Sequence, residues 1–115
     1  RDFCLSRGLG DVYKRQGLPY PTGNAIDFWN KWKSSGSTSK DNIPLGAVVC
    51  GSGSGYMGSI YGHVGIYIGN GKVANNIGTF SVETLAQWCS WQTATCQGHT
   101  GWIGWVWPNN QPLNQ

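Results

Sequence analysis

Apolar residues recur along the chain with two periods, and the change of period marks the elements. In "GNAIDFWNKWKSS" they fall at Ala25, Phe28, Trp29 and Trp32, the spacing of a helix with one buried face, which leaves Lys31 and Lys33 towards solvent. Asn24 stands where an N-cap belongs, with Asp27 three residues on. The polar run "SSGSTSKDN" ends this helix. Beyond it the period shortens towards two. "IPLGAVVCG" reads as a strand entered through a Pro-Leu-Gly turn, and "HVGIYIG" as another. Asn70-Gly71 is a hairpin dipeptide, so "KVANNIG" is expected to return antiparallel. "GSGSGYMGSIYG" is expected to be a flexible loop, "SVETLAQWCSW" a short helix and "GWIGWVWP" a closing strand stopped by Pro108.

Composition narrows the picture to one small domain without internal repeats: 115 residues, 39% hydrophobic and 11% charged. The 18 glycines and 7 tryptophans suit short strands, many turns and aromatic packing. Every apolar run falls well short of the ~20 residues that cross a bilayer, so no membrane span is expected. The net charge of +3 is scattered rather than drawn into a stripe, which argues against nucleic acid as a partner. A monomer is expected.

Residues 1–16 stand apart. The peptide "SRGLGDVYKRQ" back-translates, codon by codon, into a sequence that resembles the transposase adapter used to build sequencing libraries, and "RDFCL" fits the adjoining primer and index. Residues 1–16 are therefore read as adapter-derived and set aside, as for any fusion scar. The remaining 17–115 carry four basic against three acidic residues, a charge of +1.

His63 opens the strand "HVGIYIG". A histidine near a strand end is commonly hydrogen-bonded scaffolding. Its context offers more: "PLGAVV", a Gly-rich loop, "GHVGIYIGNGK" and the polar pair Asn75-Asn76 across the hairpin. Together these resemble the NlpC-type and CHAP (cysteine, histidine-dependent amidohydrolase/peptidase) families, over about residues 17–78 and most specifically at "GHVGIYIGNGK".

The resemblance implies an α+β, papain-like fold: an antiparallel sheet with one N-terminal amphipathic helix, truncated before or within the helix that carries the nucleophile. It implies a cysteine thiolate served by His63 as base, with a polar residue fixing the ring. Family spacing matches that residue to Asn75, with Asn76 the alternative. Strand parity makes the choice depend on the turn. A two-residue loop at Asn70-Gly71 pairs Gly65 with Asn76, whereas a three-residue loop with a Gly71 bulge pairs Gly65 with Asn75; Asn75 and the bulge are expected. Tyr56, Tyr61 and Tyr67 are expected to line the substrate cleft.

The family's nucleophile precedes the segment matching "GLPYPTGNA", where this chain has only the adapter-like peptide, so Cys4 is read as a mimic and the nucleophile as unknown. Cys50, Cys89 and Cys96 sit at other positions and are not assigned that role. Cys89 and Cys96 are slightly favoured as a disulfide over two small buried residues. Their spacing to His99 lacks the paired knuckles of a zinc site, and no metal is expected. "GSGYMG" matches G-x-G-x-x-G literally, but a phosphate cradle needs a helix next and "GHVGIYIG" reads as strand. No cofactor is expected.

The expected function is that of a peptidoglycan hydrolase, a cysteine amidase or endopeptidase of the cell wall, secreted or in the bacterial envelope or acting as a phage lysin, with this fragment inactive for want of its nucleophile. Two alternatives stay open. One is a non-catalytic wall- or carbohydrate-binding module using Trp105 and Trp107, although alternation places these two on one face where core packing is the default. The other is a papain-like acyltransferase.

Overall fold

The computed structural model describes residues 24–76, 80–107, 110 and 112, with backbone only at residues 76 and 80. The readings made for residues 1–23, Cys4 and the adapter-like segment included, and for Pro108 lie outside the described residues. The elements run α1 (Ala25–Trp32), a 3-10 turn (Lys33–Ser35), β1 (Val48–Gly51), α2 (Gly55–Tyr61), β2 (His63–Gly69), β3 (Lys72–Asn76), β4 (Phe80–Thr84), α3 (Leu85–Ser90), β5 (Thr95–Cys96), β6 (His99–Thr100) and β7 (Trp102–Val106). Five strands form one antiparallel sheet in the order β4-β3-β2-β1-β7, and β5 and β6 pair separately. The fold is α+β.

Helix α1 forms because one face has something to bury. Ala25, Ile26, Phe28 and Trp29 are buried and Trp32 is half-buried, while Lys31 and Lys33 face solvent. Full burial of Phe28 and Trp29 stabilises the fold by about 1.5–3 kcal/mol each. The helix lies against the sheet at Gly104, where the Trp29 ring occupies the space a Cβ would take, 2.5 Å away. Asn24 is the N-cap residue in extended conformation, but its side chain makes no cap bond; the Asp27 N–H goes to the Asn24 main-chain oxygen at 3.0 Å.

Strand β1 is the sheet's interior strand beside β7, and all four of its residues are buried. Across it, β2 pairs Cys50 with Val64 and Gly51 with His63. The β2–β3 hairpin turns on Asn70 and Gly71, both at positive φ (54° and 70°), the backbone of a two-residue type I′ turn. This differs from the expected three-residue loop. The extra residue sits instead in β2, where the register shifts between Tyr67, opposite Val73, and Gly69, opposite Lys72. Tyr67 Oη accepts the Gly71 N–H at 2.9 Å and ties the turn back onto the strand.

Three further expectations are corrected. The "GSGSGYMGSIYG" stretch holds a helix, α2, rather than a loop throughout. Close approach of two glycines permits it: a Cβ on Gly58 would come within 2.7 Å of the Gly53 carbonyl carbon, so α2 folds back on the chain that precedes it. "SVETLAQWCSW" is part strand and part helix, because Ser81 to Thr84 pair with β3 before α3 begins. Cys50, Cys89 and Cys96 are all free thiols, so Cys89 and Cys96 form no disulfide; both are taken up as small residues in or against the core.

Among the described residues no helix is long and apolar enough to cross a membrane.

Candidate functional site

Alternation along β2 puts His63, Gly65 and Tyr67 on one face of the sheet. Continuing the observed pairings of Tyr67 with Val73 and Ile66 with Ala74 back by one step sets Gly65 opposite Asn75. Next along the sheet, Asn75 faces Ser81 and Val73 faces Glu83. One face of three neighbouring strands therefore carries His63, Asn75, Ser81 and Glu83.

These side chains are joined. His63 Nε2 and Asn75 Oδ1 are 2.8 Å apart. Asn75 Oδ1 also accepts the indole N–H of Trp88 at 3.2 Å. At its other end, Asn75 Nδ2 donates to Glu83 Oε1 at 2.8 Å and reaches the Ser81 carbonyl at 3.4 Å. The Ser81 hydroxyl donates to Glu83 Oε2. Gly65 makes room for this network, since a Cβ there would lie 2.4 Å from Val73 Cγ1 and 3.4 Å from Asn75 Cβ.

The partners assign every proton. An indole N–H only donates and a carboxylate only accepts, so the Asn75 oxygen must face Trp88 and its nitrogen must face Glu83. The atom meeting His63 is thus an acceptor. His63 Nε2 must donate to it, which in the neutral ring leaves the lone pair on Nδ1. Nδ1 has no hydrogen-bond partner among the described residues.

Trp88 also stacks on the His63 ring, with centroids 5.9 Å apart and planes inclined by 27°. Asn75 and Trp88 are both 0% exposed, so the bond between them forms away from water, where it is electrostatically stronger, and the bond from Asn75 to His63 is part-buried. Helix α3 delivers Trp88. It starts at Thr84, whose hydroxyl accepts the Gln87 N–H at 3.1 Å as an N-cap. Gln92 then ties the helix to the loop after β1, donating from Nε2 to the Trp88 carbonyl and accepting the Gly53 N–H at Oε1, both at 2.8 Å.

Comparison with family models, curated proteins and solved structures finds no match.

The other sequence candidates fall unevenly around this cluster. Tyr56 and Tyr61 lie on α2, the element directly before His63, and are exposed, Tyr56 at 78%. Met57 and Ile60 are exposed on the same short helix. Tyr67 lies four residues along β2 from His63, roughly 13 Å at the rise of a strand, with its hydroxyl occupied by the turn. Asn76 pairs through its backbone with Phe80.

None of the described thiols has a nucleophile's setting. Cys50 pairs with Val64 and so projects to the sheet face opposite His63; burial pushes its thiol pKa far up. Burial also raises the pKa of Cys89, partly offset by the charge of Lys40, and that of Cys96. Among the described residues no cluster of His, Cys, Asp or Glu is suited to a metal ion.

The literal G-x-G-x-x-G match, Gly53 to Gly58, overlaps the start of α2, while "HVGIYIG" beyond it is strand as expected, and Gly53 and Gly58 are spent on packing against each other. The strand that follows runs antiparallel to β1, whereas a dinucleotide fold needs a parallel one. The tryptophans are mostly interior. Trp107 is buried, Trp105 packs edge-on against it at 6.3 Å, and the Trp102 N–H is given to the Thr38 carbonyl at 2.7 Å.

Glu83, Trp88 and Gln92 were missed in the sequence. A lone glutamate in "SVET" has no spacing relation to His63, and its place follows only from pairing β4 onto β3.

Proposed function

We propose that this chain carries the base half of a cysteine-dependent amide hydrolase that acts on peptidoglycan peptides, as the resemblance to NlpC-type and CHAP proteins implies. The observation that carries the reading is the 2.8 Å contact between His63 Nε2 and Asn75 Oδ1, with Trp88 and Glu83 assigning the amide's orientation. That arrangement leaves Nδ1 as the nitrogen able to take a proton. A base oriented from behind, with the other nitrogen unpartnered among the described residues, is what a thiol nucleophile requires.

In this reading Nδ1 accepts the proton of a cysteine thiol, and the thiolate attacks the carbonyl carbon of the amide. The imidazolium returns that proton to the departing amine, leaving an acyl-thioenzyme. Nδ1 then takes a proton from water, the hydroxide displaces the thiolate, and a free carboxylate is released. Asn75 holds Nε2–H throughout, so one ring orientation serves both protonation states. Tyr56 and Tyr61 border the approach to His63.

The thiol is not Cys50, Cys89 or Cys96, whose pKa values are raised by burial. It is a cysteine supplied by the natural chain ahead of residue 17, and the protein acts at the cell envelope or as a phage lysin.

The test is to recover the uninterrupted reading frame from the source DNA, express it, and incubate it with purified peptidoglycan. Expected are new amine and carboxylate ends in equal number by mass spectrometry, abolished by His63→Ala. An upstream frame without cysteine, or intact peptidoglycan after incubation with the folded natural protein, sinks the reading. Transfer of the acyl group to an added amine in place of hydrolysis would instead indicate the acyltransferase.

A further inference from the structure

The Asn75 amide is gripped at both ends by groups that nothing in the reaction itself calls for, and the shorter of the two contacts at its nitrogen comes from a carboxylate, Glu83 at 2.8 Å against the Ser81 carbonyl at 3.4 Å. We propose that Glu83 is a positioning residue: it fixes the Asn75 amide and, through it, the Nε2–H tautomer of His63. The inference rests on the reading of His63 as a base with Nδ1 as its working nitrogen.

An asparagine amide is nearly symmetric in shape, so a half-turn about its last bond exchanges oxygen and nitrogen at almost no steric cost. Here the half-turn would be chemically costly. It would set the NH2 group against the Trp88 N–H, donor facing donor. It would also turn Oδ1 towards Glu83, acceptor facing acceptor. At His63 it would present a donor to Nε2, draw the lone pair to that nitrogen and place the proton on Nδ1. The ring would then have lost its base on the open side.

Glu83 opposes that half-turn from one end as Trp88 does from the other. A charged acceptor makes the stronger bond, and 2.8 Å is the distance of a well-formed one. The carboxylate is held in turn by the Ser81 hydroxyl on its second oxygen. Both residues come from β4, whose pairing of Ser81 with Asn75 and Glu83 with Val73 aims them at the amide. Among the described residues no Lys or Arg pairs with Glu83, so its charge is directed to these two neutral donors.

The experiment is nitrogen-15 NMR on the full chain, reading the His63 ring nitrogens and the solvent exchange of its Nε2–H proton, with His99 as internal reference. The wild type is expected to show a protected Nε2–H on His63. In Glu83→Ala that signal is expected to vanish through exchange at least tenfold faster, with Nδ1–H tautomer appearing. Glu83→Gln, which keeps an acceptor in reach, is expected to restore it. The His99 signals should not move in either variant.

A folded Glu83→Ala protein with the wild-type His63 spectrum overturns the proposal, as does loss of the signal in Glu83→Gln equal to that in Glu83→Ala. Where Glu83→Ala fails to fold, Glu83→Asp draws the carboxylate back by one methylene while keeping the charge. It is expected to lose the protected proton, and an unchanged spectrum there is equally fatal. These readouts need no turnover, so inactivity of the natural protein on peptidoglycan would remove the function and leave only the fixing of the His63 tautomer by Glu83 standing.

Discussion

Trp88 covers His63 and shares its partner: the two rings stack at 5.9 Å, and both N–H groups converge on Asn75 Oδ1. One residue thus provides the roof of the site and one of the donors that fix its amide. Trp88→Phe keeps an aromatic roof and removes the indole N–H; since the Asn75 oxygen retains His63, the expected loss from the hydrogen bond is about 1 kcal/mol. Trp88→Ala empties a fully buried position and is expected to cost about 3–5 kcal/mol. Urea unfolding of the three proteins checks the order, and equal losses for the two variants would show that Trp88 acts by its N–H alone.

Gly65 lies on β2 two residues from His63 and beside β3, with no room for a side chain. A methyl group there meets Val73 Cγ1 at 2.4 Å and the Ala74 carbonyl oxygen at 3.0 Å. Gly65→Ala is expected to destabilise by about 1–3 kcal/mol, the range for overpacking. Adding Val73→Ala removes the nearer obstacle, so the double variant should lose less than the sum of the two single losses. Strict additivity in denaturant midpoints would mean that the strand shifts freely and that Gly65 does not set the spacing.

The buried Cys50 makes stability depend on pH on the alkaline side. Its thiol pKa is raised in the folded protein by burial, above the ordinary 9.0, so between those two values the folded state holds a proton that the unfolded state has released. The contribution is present below pH 9.0 and falls away above it, by about 1.4 kcal/mol per pH unit for one such group. Cys50→Ala is therefore expected to show a shallower loss of stability from pH 9 to 10.5 than the wild type, measured by chemical unfolding. Parallel curves would place the Cys50 thiol in contact with solvent.

Thr84 caps the helix that carries Trp88, through its hydroxyl and the Gln87 N–H at 3.1 Å. Thr84→Ala is expected to cost about 1 kcal/mol, and Thr84→Ser to keep most of it. The loss should be visible locally, as faster amide exchange in Leu85–Ser90 and a shifted indole resonance for Trp88. Global destabilisation without change at Trp88 would separate the cap from the site.

Much of this fold is legible in the sequence. The apolar spacing through Ala25, Phe28 and Trp29 marks α1 because a helix must turn those positions to one side. Asn70-Gly71 marks the hairpin because both residues accept positive φ. The twelve-residue interval from His63 to Asn75 follows from a turn and two strands of matched length. It survives the error in the turn itself, since one extra residue aligns Gly65 with Asn75 whether it lies at Gly71 or at Ile68.

What escaped the sequence has a common cause. Helix α2 exists because Gly53 and Gly58 touch, and β4 because Ser81 to Thr84 find hydrogen-bond partners on β3. Neither contact leaves a periodic trace in the chain. The same holds for Glu83 and Trp88, which reach Asn75 from the neighbouring strand and from the helix beyond it. Local patterning alone determined which residues form the central hairpin and that one of two adjacent asparagines, Asn75 or Asn76, shares the face of its histidine. The tertiary structure decided which nitrogen of that histidine donates to the asparagine, because the proton's place depends on acceptors and donors brought in from other elements.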